Sequence, residues 1–170
     1  DNYAAAFRRA PVGLFVFNSV LITGVTVLLS LIVCSAAAFA FVFIDWRGRE
    51  LILTIILATL IVPFETIAIP LLLISSKLPW IGLDGLTYGW LNSYQVQIVP
   101  FITDGLTIFL FVQYFKDLPG ELIEAARVEG ASWWQVYRRV VMPLAGPVLA
   151  TYLFLQRAFI ASIASTGVKG

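Results

Sequence analysis

The sequence predicts an all-α fold, a polytopic transmembrane helical bundle of about four hydrophobic segments. Of its 170 residues, 60% are hydrophobic and only 12% are charged, and the mean hydropathy is +0.93. A typical soluble domain is about 45–50% apolar and about 25% charged. The charged residues gather in short clusters, which separate uncharged stretches long enough to cross a bilayer. This pattern excludes an ordinary water-soluble fold.

The first predicted crossing begins after a short interfacial turn. No charged residue occurs between Leu14 and Ile44, a stretch longer than a helix needs to cross a hydrocarbon layer of roughly 30 Å. Asn18 and Ser19 are favourable helix-start residues, so we expect a turn over residues 11–17 and a crossing from about Ser19. The charged cluster after Ile44 is short, which predicts a tight turn and a helical hairpin.

The second predicted crossing runs over residues 51–74. Each of its many Leu, Ile, Val and Phe residues favours insertion by roughly 0.3–0.6 kcal/mol, which outweighs a penalty of about 3 kcal/mol for one carboxylate, Glu65. Pro63 and Pro70 are expected to kink the helix. The segment should therefore insert as one bent crossing.

Two further crossings are predicted beyond a loop. Residues 75–95 contain glycines and aromatic residues that are typical of a membrane interface. The third crossing, over about 96–115, is interrupted by Pro100 and by Asp104, which precedes a glycine. A weaker apolar run over 140–164 is the predicted fourth crossing.

The distribution of cations predicts which loops face the cytoplasm. If the helices alternate in direction, the two loops that carry most of the cations lie on one side of the membrane. By the positive-inside rule, that side is the cytoplasm. The cations of these two loops are Arg47, Arg49, Lys116, Arg127, Arg138 and Arg139.

The polar stretch between the third and fourth crossings, residues 116–143, is called the hook below. Pro119 suits a first helical turn, and Gly130 is a typical residue just beyond a helix end. Ser132 and Gln135 match a capping box, so a second helix should start at once. The apolar residues that this second helix carries at helical spacing are Trp133, Val136, Tyr137 and Val140.

The composition of the first hook helix favours a docking element. Ala125 and Ala126 are small, so the backbone of a partner could approach them closely. Glu121, Glu124 and Arg127 supply charge that would orient this partner. The alternative is an amphipathic helix that lies on the membrane surface without a partner. Composition alone leaves both interpretations open.

One set of hook residues has a recognisable spacing, namely Glu124-Ala125-Ala126, Gly130, Val140 and Met142-Pro143. This set resembles the EAA motif of the permeases of binding-protein-dependent ABC importers. The family usually has Ile and Leu where this chain has Val140 and Met142, while the spacing agrees throughout. The resemblance is therefore specific.

In that family, the helix of the motif is the coupling helix, which sits in a cleft of the cytoplasmic ATPase and converts nucleotide-driven closure into alternating access. The resemblance implies an ATP-binding subunit dimer, a second permease subunit and an extracytoplasmic solute-binding protein as partners, in the inner membrane of a prokaryote. It also implies that the partner binds ATP and that this chain is not an enzyme. The residues assigned to coupling are Glu121, Glu124, Ala125, Ala126, Arg127, Gly130 and Pro143.

Short motifs outside the hook include Asn2-Tyr3, Asn18-Ser19, residues 62–65, Ile69-Pro70, and Phe109-Leu110 with Gln113. They resemble the carbohydrate-type branch of the family and are similar to the maltose permease subunits. This resemblance implies a carbohydrate or a related small polar solute as substrate. Against the six crossings usual in that branch, the chain is expected to lack the first and most of the fifth and sixth. The single transmembrane domain predicted over residues 1–170 is then partial.

Two acids inside predicted crossings, Glu65 and Asp104, are candidates for the translocation path. They also support the main alternative, a secondary transporter driven by an ion gradient; a nonfunctional truncated fragment is a third hypothesis. The sequence has no His and no P-loop, and one cysteine, Cys34, so no catalytic, cofactor or metal site is predicted. A net charge of +1 without long basic runs argues against nucleic acid, which leaves membrane lipid as the expected surroundings.

Overall fold

The computed structural model of this protein describes residues 11–82 and 85–150, apart from the side chains of residues 64–65 and 80–87. Helices dominate the described residues, which confirms the predicted all-α class. Most of the predicted fourth crossing, residues 151–164, lies outside the described residues and stays a prediction.

The chain divides into two compact units. The first unit combines residues 1–33 with residues 58–104, and the second combines residues 34–57 with residues 105–170. Each unit is therefore built from two separate stretches of sequence. The prediction of one partial transmembrane domain over the whole chain is not tested by this division.

The predicted interfacial turn over residues 11–17 is wrong, because helix α1 runs without interruption over Val12–Phe43. Pro11 precedes the first helical residue, where its fixed φ suits a helix start. Asn18 lies inside the helix, and its Oδ1 accepts a hydrogen bond from the Tyr94 hydroxyl at 3.1 Å. Its preference for a helix start is thus overridden by the apolar sequence around it and by this distant contact.

The second predicted crossing is broken rather than kinked at its first proline. Val62 is extended, with φ −80° and ψ 115°, because the ring of Pro63 disfavours the helical conformation for the preceding residue. Pro70 lies inside the helix that follows. The elements of this segment are helix α2 over Arg49–Ala58, a 3₁₀ turn over Thr59–Ile61 and helix α3 over Phe64–Ser75.

The predicted interfacial loop contains a β-hairpin. Strands β1 (Pro79–Gly82) and β2 (Gly85–Tyr88) pair antiparallel, with Pro79 opposite Tyr88. Gly89 follows with φ +92°, and an added Cβ would meet the carbonyl oxygen of Ser76 at 3.1 Å. This position therefore requires glycine. The hairpin was not predicted from the sequence.

The third predicted crossing is interrupted where expected. Helix α4 (Tyr94–Ile98) continues into a 3₁₀ turn over Val99–Phe101, which contains the proline of this segment. Helix α5 begins at the glycine after Asp104 and runs over Gly105–Lys116. The segment thus consists of two helices rather than one.

Among the described residues, α1 is the one helix that is long and apolar enough to cross a membrane by itself. At about 1.5 Å per residue, its 32 residues extend about 48 Å, which exceeds the roughly 30 Å hydrocarbon layer. Counting α2 with α3, and α4 with α5, as one span each raises the number of crossings to three. These three spans correspond to the first three predicted crossings.

The buried apolar side chains of the described residues all belong to the second unit. Two aromatic pairs in this unit share Phe115: Phe43 and Phe115 have ring centroids 6.1 Å apart, and Phe111 and Phe115 have ring centroids 5.6 Å apart. The hook joins this core. The buried apolar residues are Cys34, Ala38, Phe39, Ile108, Phe111, Val112, Phe115, Ile123, Val136, Tyr137, Val141, Ala145 and Val148.

Candidate docking site on the hook

The hook consists of short helices in succession. Helix α6 covers Gly120–Val128, and helix α7 covers Trp133–Val136. A π-helical turn over Tyr137–Val141 and a short helix α8 over Met142–Leu144 follow. The predicted pair of helices joined at a glycine is confirmed, and the π turn is an addition to it.

Helix α6 ends in a Schellman motif at the predicted glycine. Gly130 has φ +86°, a conformation that L-residues with a Cβ rarely adopt. The amide of Ala131 donates to the carbonyl of Ala126, and that of Gly130 donates to the carbonyl of Arg127, both at 3.0 Å. These two bonds satisfy carbonyls that the helix end would otherwise leave unpaired. The glycine of the motif therefore has a backbone role.

One face of α6 is exposed to solvent. Glu121, Glu124, Ala125 and Val128 lie three and four residues apart, which places them along one side of the helix, and all four are exposed. Ile123 is 6% exposed and packs into the core. The helix is therefore held from one side and open on the other, as a docking element requires.

The exposed face includes a residue that the sequence analysis missed. Val128 is 88% exposed, the largest value among the exposed large apolar residues of the described part. Because it lies on the same face as Glu121, Glu124 and Ala125, it is a candidate contact for a partner that docks on this helix. Its spacing of three and four residues from Ala125 and Glu124 is the signal that could have identified it.

The amino end of α7 is closed by the predicted capping box. The Ser132 Oγ accepts a hydrogen bond from the amide of Gln135 at 3.3 Å, and the Gln135 Oε1 accepts one from the amide of Ser132 at 2.7 Å. Both bonds satisfy donors that a helix start leaves unpaired. The second hook helix therefore begins directly after the glycine turn.

Arg127 connects the two hook helices. Its Nη1 donates a hydrogen bond to the carbonyl of Ala131 at 2.7 Å, and its guanidinium carbon lies 4.4 Å from the centroid of the Trp133 ring. Such a cation–π contact contributes about 0.5–1 kcal/mol at an exposed site. Arg127 was assigned to coupling with a partner. In this structure its contacts lie within the hook, so its geometric role is to fix the bend between α6 and α7.

The second hook segment continues as a π turn over Tyr137–Val141. A π turn holds one residue more than an α turn, so it shifts the register of the residues that follow. Val141 is 0% exposed, whereas Val140 is half-buried. Of the four predicted apolar residues, Val136 and Tyr137 are buried and Trp133 and Val140 are half-buried, and Val141 is a buried residue that the prediction did not include.

The end of the hook is tied to α5. Pro143 lies inside α8 and is exposed. The hydroxyl of Tyr114 donates a hydrogen bond to the carbonyl of Leu144 at 2.5 Å. The contact fixes the beginning of the fourth predicted crossing on α5.

The two candidate path residues, Glu65 and Asp104, are not part of the hook segment. The side chain of Glu65 falls outside the described residues. Asp104 is exposed and directly precedes the first residue of α5, a position where aspartate is a favourable helix start. Their assignment to a translocation path stays a prediction.

The family model described as "Binding-protein-dependent transport system inner membrane component" matches residues 30–167, which include the whole hook. The chain belongs to this family. The predicted family is thereby confirmed, and with it the location in an inner membrane, which agrees with the apolar helix α1. The family is one of transport components rather than enzymes.

Several permease proteins are similar to this inner-membrane transport component. It is 34% identical over 157 residues to the arabinooligosaccharides transport system permease protein AraQ of Halalkalibacterium halodurans, covering 92% of this chain and 53% of that protein. It is 35% identical over 144 residues to the lactose transport system permease protein LacG of Rhizobium radiobacter, covering 85% and 49%. For the alpha-glucoside transport system permease protein AglG of Rhizobium meliloti, the identity is 29% over 159 residues, covering 92% and 40%. The chain thus spans about half the length of these relatives.

Proposed function

We propose that this chain acts as the membrane-spanning permease subunit of an ATP-driven importer and that α6 docks on a cytoplasmic ATP-binding subunit. The observation that carries the proposal is the exposed face of α6, whose carboxyl end is fixed within the hook by the Gly130 turn and by Arg127. Family membership supports the same function, because the family consists of binding-protein-dependent transport components. The cations of the hook support a cytoplasmic position for it by the positive-inside rule.

The chemistry of the exposed face indicates what the partner surface must offer. Glu121 and Glu124 present two carboxylates, so a complementary groove would carry cations at its rim. Ala125 leaves room for close approach, and Val128 adds an apolar contact at the end of the face. A shallow groove with an apolar floor and a basic rim fits this helix.

The proposed substrate is a carbohydrate or a related small polar solute. The names of three relatives refer to arabinooligosaccharides, lactose and alpha-glucosides. A second permease subunit and an extracytoplasmic solute-binding protein would complete the assembly. The ATP-binding partner binds and hydrolyses ATP, and this chain catalyses no reaction itself.

The docking proposal is tested by co-purification of the chain with its ATP-binding subunit. We expect Ala125→Trp to reduce the retained ATP-binding subunit by roughly tenfold or more, because a bulky ring at the centre of a docking face prevents close packing. Ala58→Trp is the matched control, since Ala58 is also an exposed alanine at a helix position but lies outside the hook.

Each outcome of this experiment is informative. Loss of the partner with Ala125→Trp and retention with Ala58→Trp support docking at α6. Equal retention of the partner by both variants would refute it. Uptake that persists without any ATP-binding subunit would refute the ATP-driven function and favour transport driven by an ion gradient.

A further inference from the structure

A buried hydrogen bond joins the hook to helix α1. The hydroxyl oxygens of Ser35 and Tyr137 lie 2.8 Å apart, although the two residues are 102 positions apart in the sequence. Ser35 is 0% exposed and Tyr137 is 7% exposed. A hydrogen bond that is shielded from water in this way is stronger than the same bond in water, because the local dielectric constant is low.

An aromatic contact lies next to this bond. Phe39 follows Ser35 by four residues, so both side chains lie on one side of α1. The Phe39 ring centroid is 5.3 Å from that of Tyr137 and 6.1 Å from that of Trp133, both with edge-to-face geometry. The hydrogen bond and these aromatic contacts therefore attach the hook to α1.

These contacts continue to the docking helix. Trp133, which touches Phe39, also carries the guanidinium of Arg127 on its ring. Arg127 belongs to α6, which presents the exposed docking face. A continuous series of side-chain contacts thus runs from α6 through Arg127, Trp133 and Phe39 to α1.

Tyr137 occupies a particular place in this series, because it is the first residue of the π turn. A π turn is rare and less favourable than an α turn, and such turns occur often at functional sites. The bond to Ser35 holds the residue at which this wide turn begins. Without it, the hook could move relative to α1 by rearranging this turn.

We propose that Tyr137 and Ser35 are positioning residues that fix the hook on α1, so that a displacement imposed on α6 by a docked partner moves α1. The proposal rests on the proposed docking of α6. It assigns the two hydroxyls to the transfer of motion and not to binding of the partner or of substrate.

The test compares variants that remove either hydroxyl or both. Tyr137→Phe keeps the ring and its aromatic contacts, Ser35→Ala removes the other hydroxyl, and the double variant removes both. Each is reconstituted with its partner subunits, and both ATP hydrolysis and solute uptake are measured. Tyr94→Phe is the control, since its hydroxyl also donates a side-chain hydrogen bond but lies outside the hook.

We expect all three variants to retain the ATP-binding subunit and to hydrolyse ATP, while uptake per ATP falls about fivefold, the lower range for an energetic coupling between sites. Uptake per ATP in the double variant should be no lower than in either single variant, because all three variants remove the same interaction. The control Tyr94→Phe should have the same uptake per ATP as the unmodified chain. A ratio that falls in the variants of Tyr137 and Ser35 without loss of the partner supports the proposal.

Three results would overturn the proposal. An unchanged uptake per ATP in Tyr137→Phe shows that the hydroxyl is not needed for transfer. Losses that add in the double variant show that the two hydroxyls act separately. A parallel loss of retained partner, hydrolysis and uptake, with the ratio preserved, shows a purely structural role. Failure of the docking proposal can be distinguished from failure of this one, because it is seen in a different experiment, as retention of the ATP-binding subunit by Ala125→Trp.

Discussion

Substitution of Gly130 by alanine tests whether the motif glycine is needed for its backbone conformation. Gly130 has φ +86°, and no heavy atom lies within 4 Å of an added Cβ. The cost is therefore conformational and not steric. A left-handed conformation costs an L-residue roughly 1–2 kcal/mol, and the stiffer unfolded chain offsets about 0.4–1 kcal/mol of it. The expected net loss is about 1 kcal/mol, which lowers the ratio of closed to open hook by a factor of about five.

Hydrogen exchange measured by mass spectrometry on peptides from residues 120–136 checks this value, because local opening of the hook controls exchange there. We expect Gly130→Ala to exchange about fivefold faster. Gly120→Ala is the matched control: Gly120 also has open space around its Cβ and has no positive φ, so alanine should leave protection equal or higher. The exchange rate of Gly130→Asn should lie between those of Gly130→Ala and Gly120→Ala, since Asn tolerates the left-handed conformation. Equal protection in Gly130→Ala and Gly120→Ala would refute the reasoning.

Three other substitutions have defined outcomes. Ser132→Ala removes the acceptor for the Gln135 amide and should destabilise α7 by about 1 kcal/mol; Ser132→Asp should restore protection in hydrogen exchange. Arg127→Gln removes the cation–π contact and should weaken the hook by about 0.5–1 kcal/mol, measured as faster exchange after Gly130; an unchanged rate would contradict this. Asp104→Asn keeps an equally favourable helix start, so the Tm should stay constant while uptake falls, and unchanged uptake would exclude a path role for Asp104.

The prediction of the hook from the sequence was accurate because its signals are local. The capping box depends on Ser132 and Gln135, which are three residues apart, and the helix end depends on the conformational freedom of Gly130. Such features need no distant partner. The two helices and the bend between them were therefore predicted correctly, as were the interruptions of the third crossing.

The errors arose where a local preference competed with its surroundings. Asn18 and Ser19 favour a helix start, but they lie among apolar residues that continue α1. Pro63 was expected to kink a helix, yet its effect on the extended Val62 breaks it. The π turn at Tyr137 was not predictable, because an α-helical spacing of apolar residues gives no signal for one additional residue.

The sequence by itself determined that this chain is a helical membrane protein with a hook, and it determined where the hook helices begin and end. These features follow from apolar content and from backbone chemistry among neighbouring residues. Only the tertiary structure decided that Arg127 holds the bend, that Val128 is exposed, and that Tyr137 bonds to Ser35. A pair of hydroxyls 102 residues apart leaves no trace in local sequence, because it is the packing of the hook against α1 that selects it.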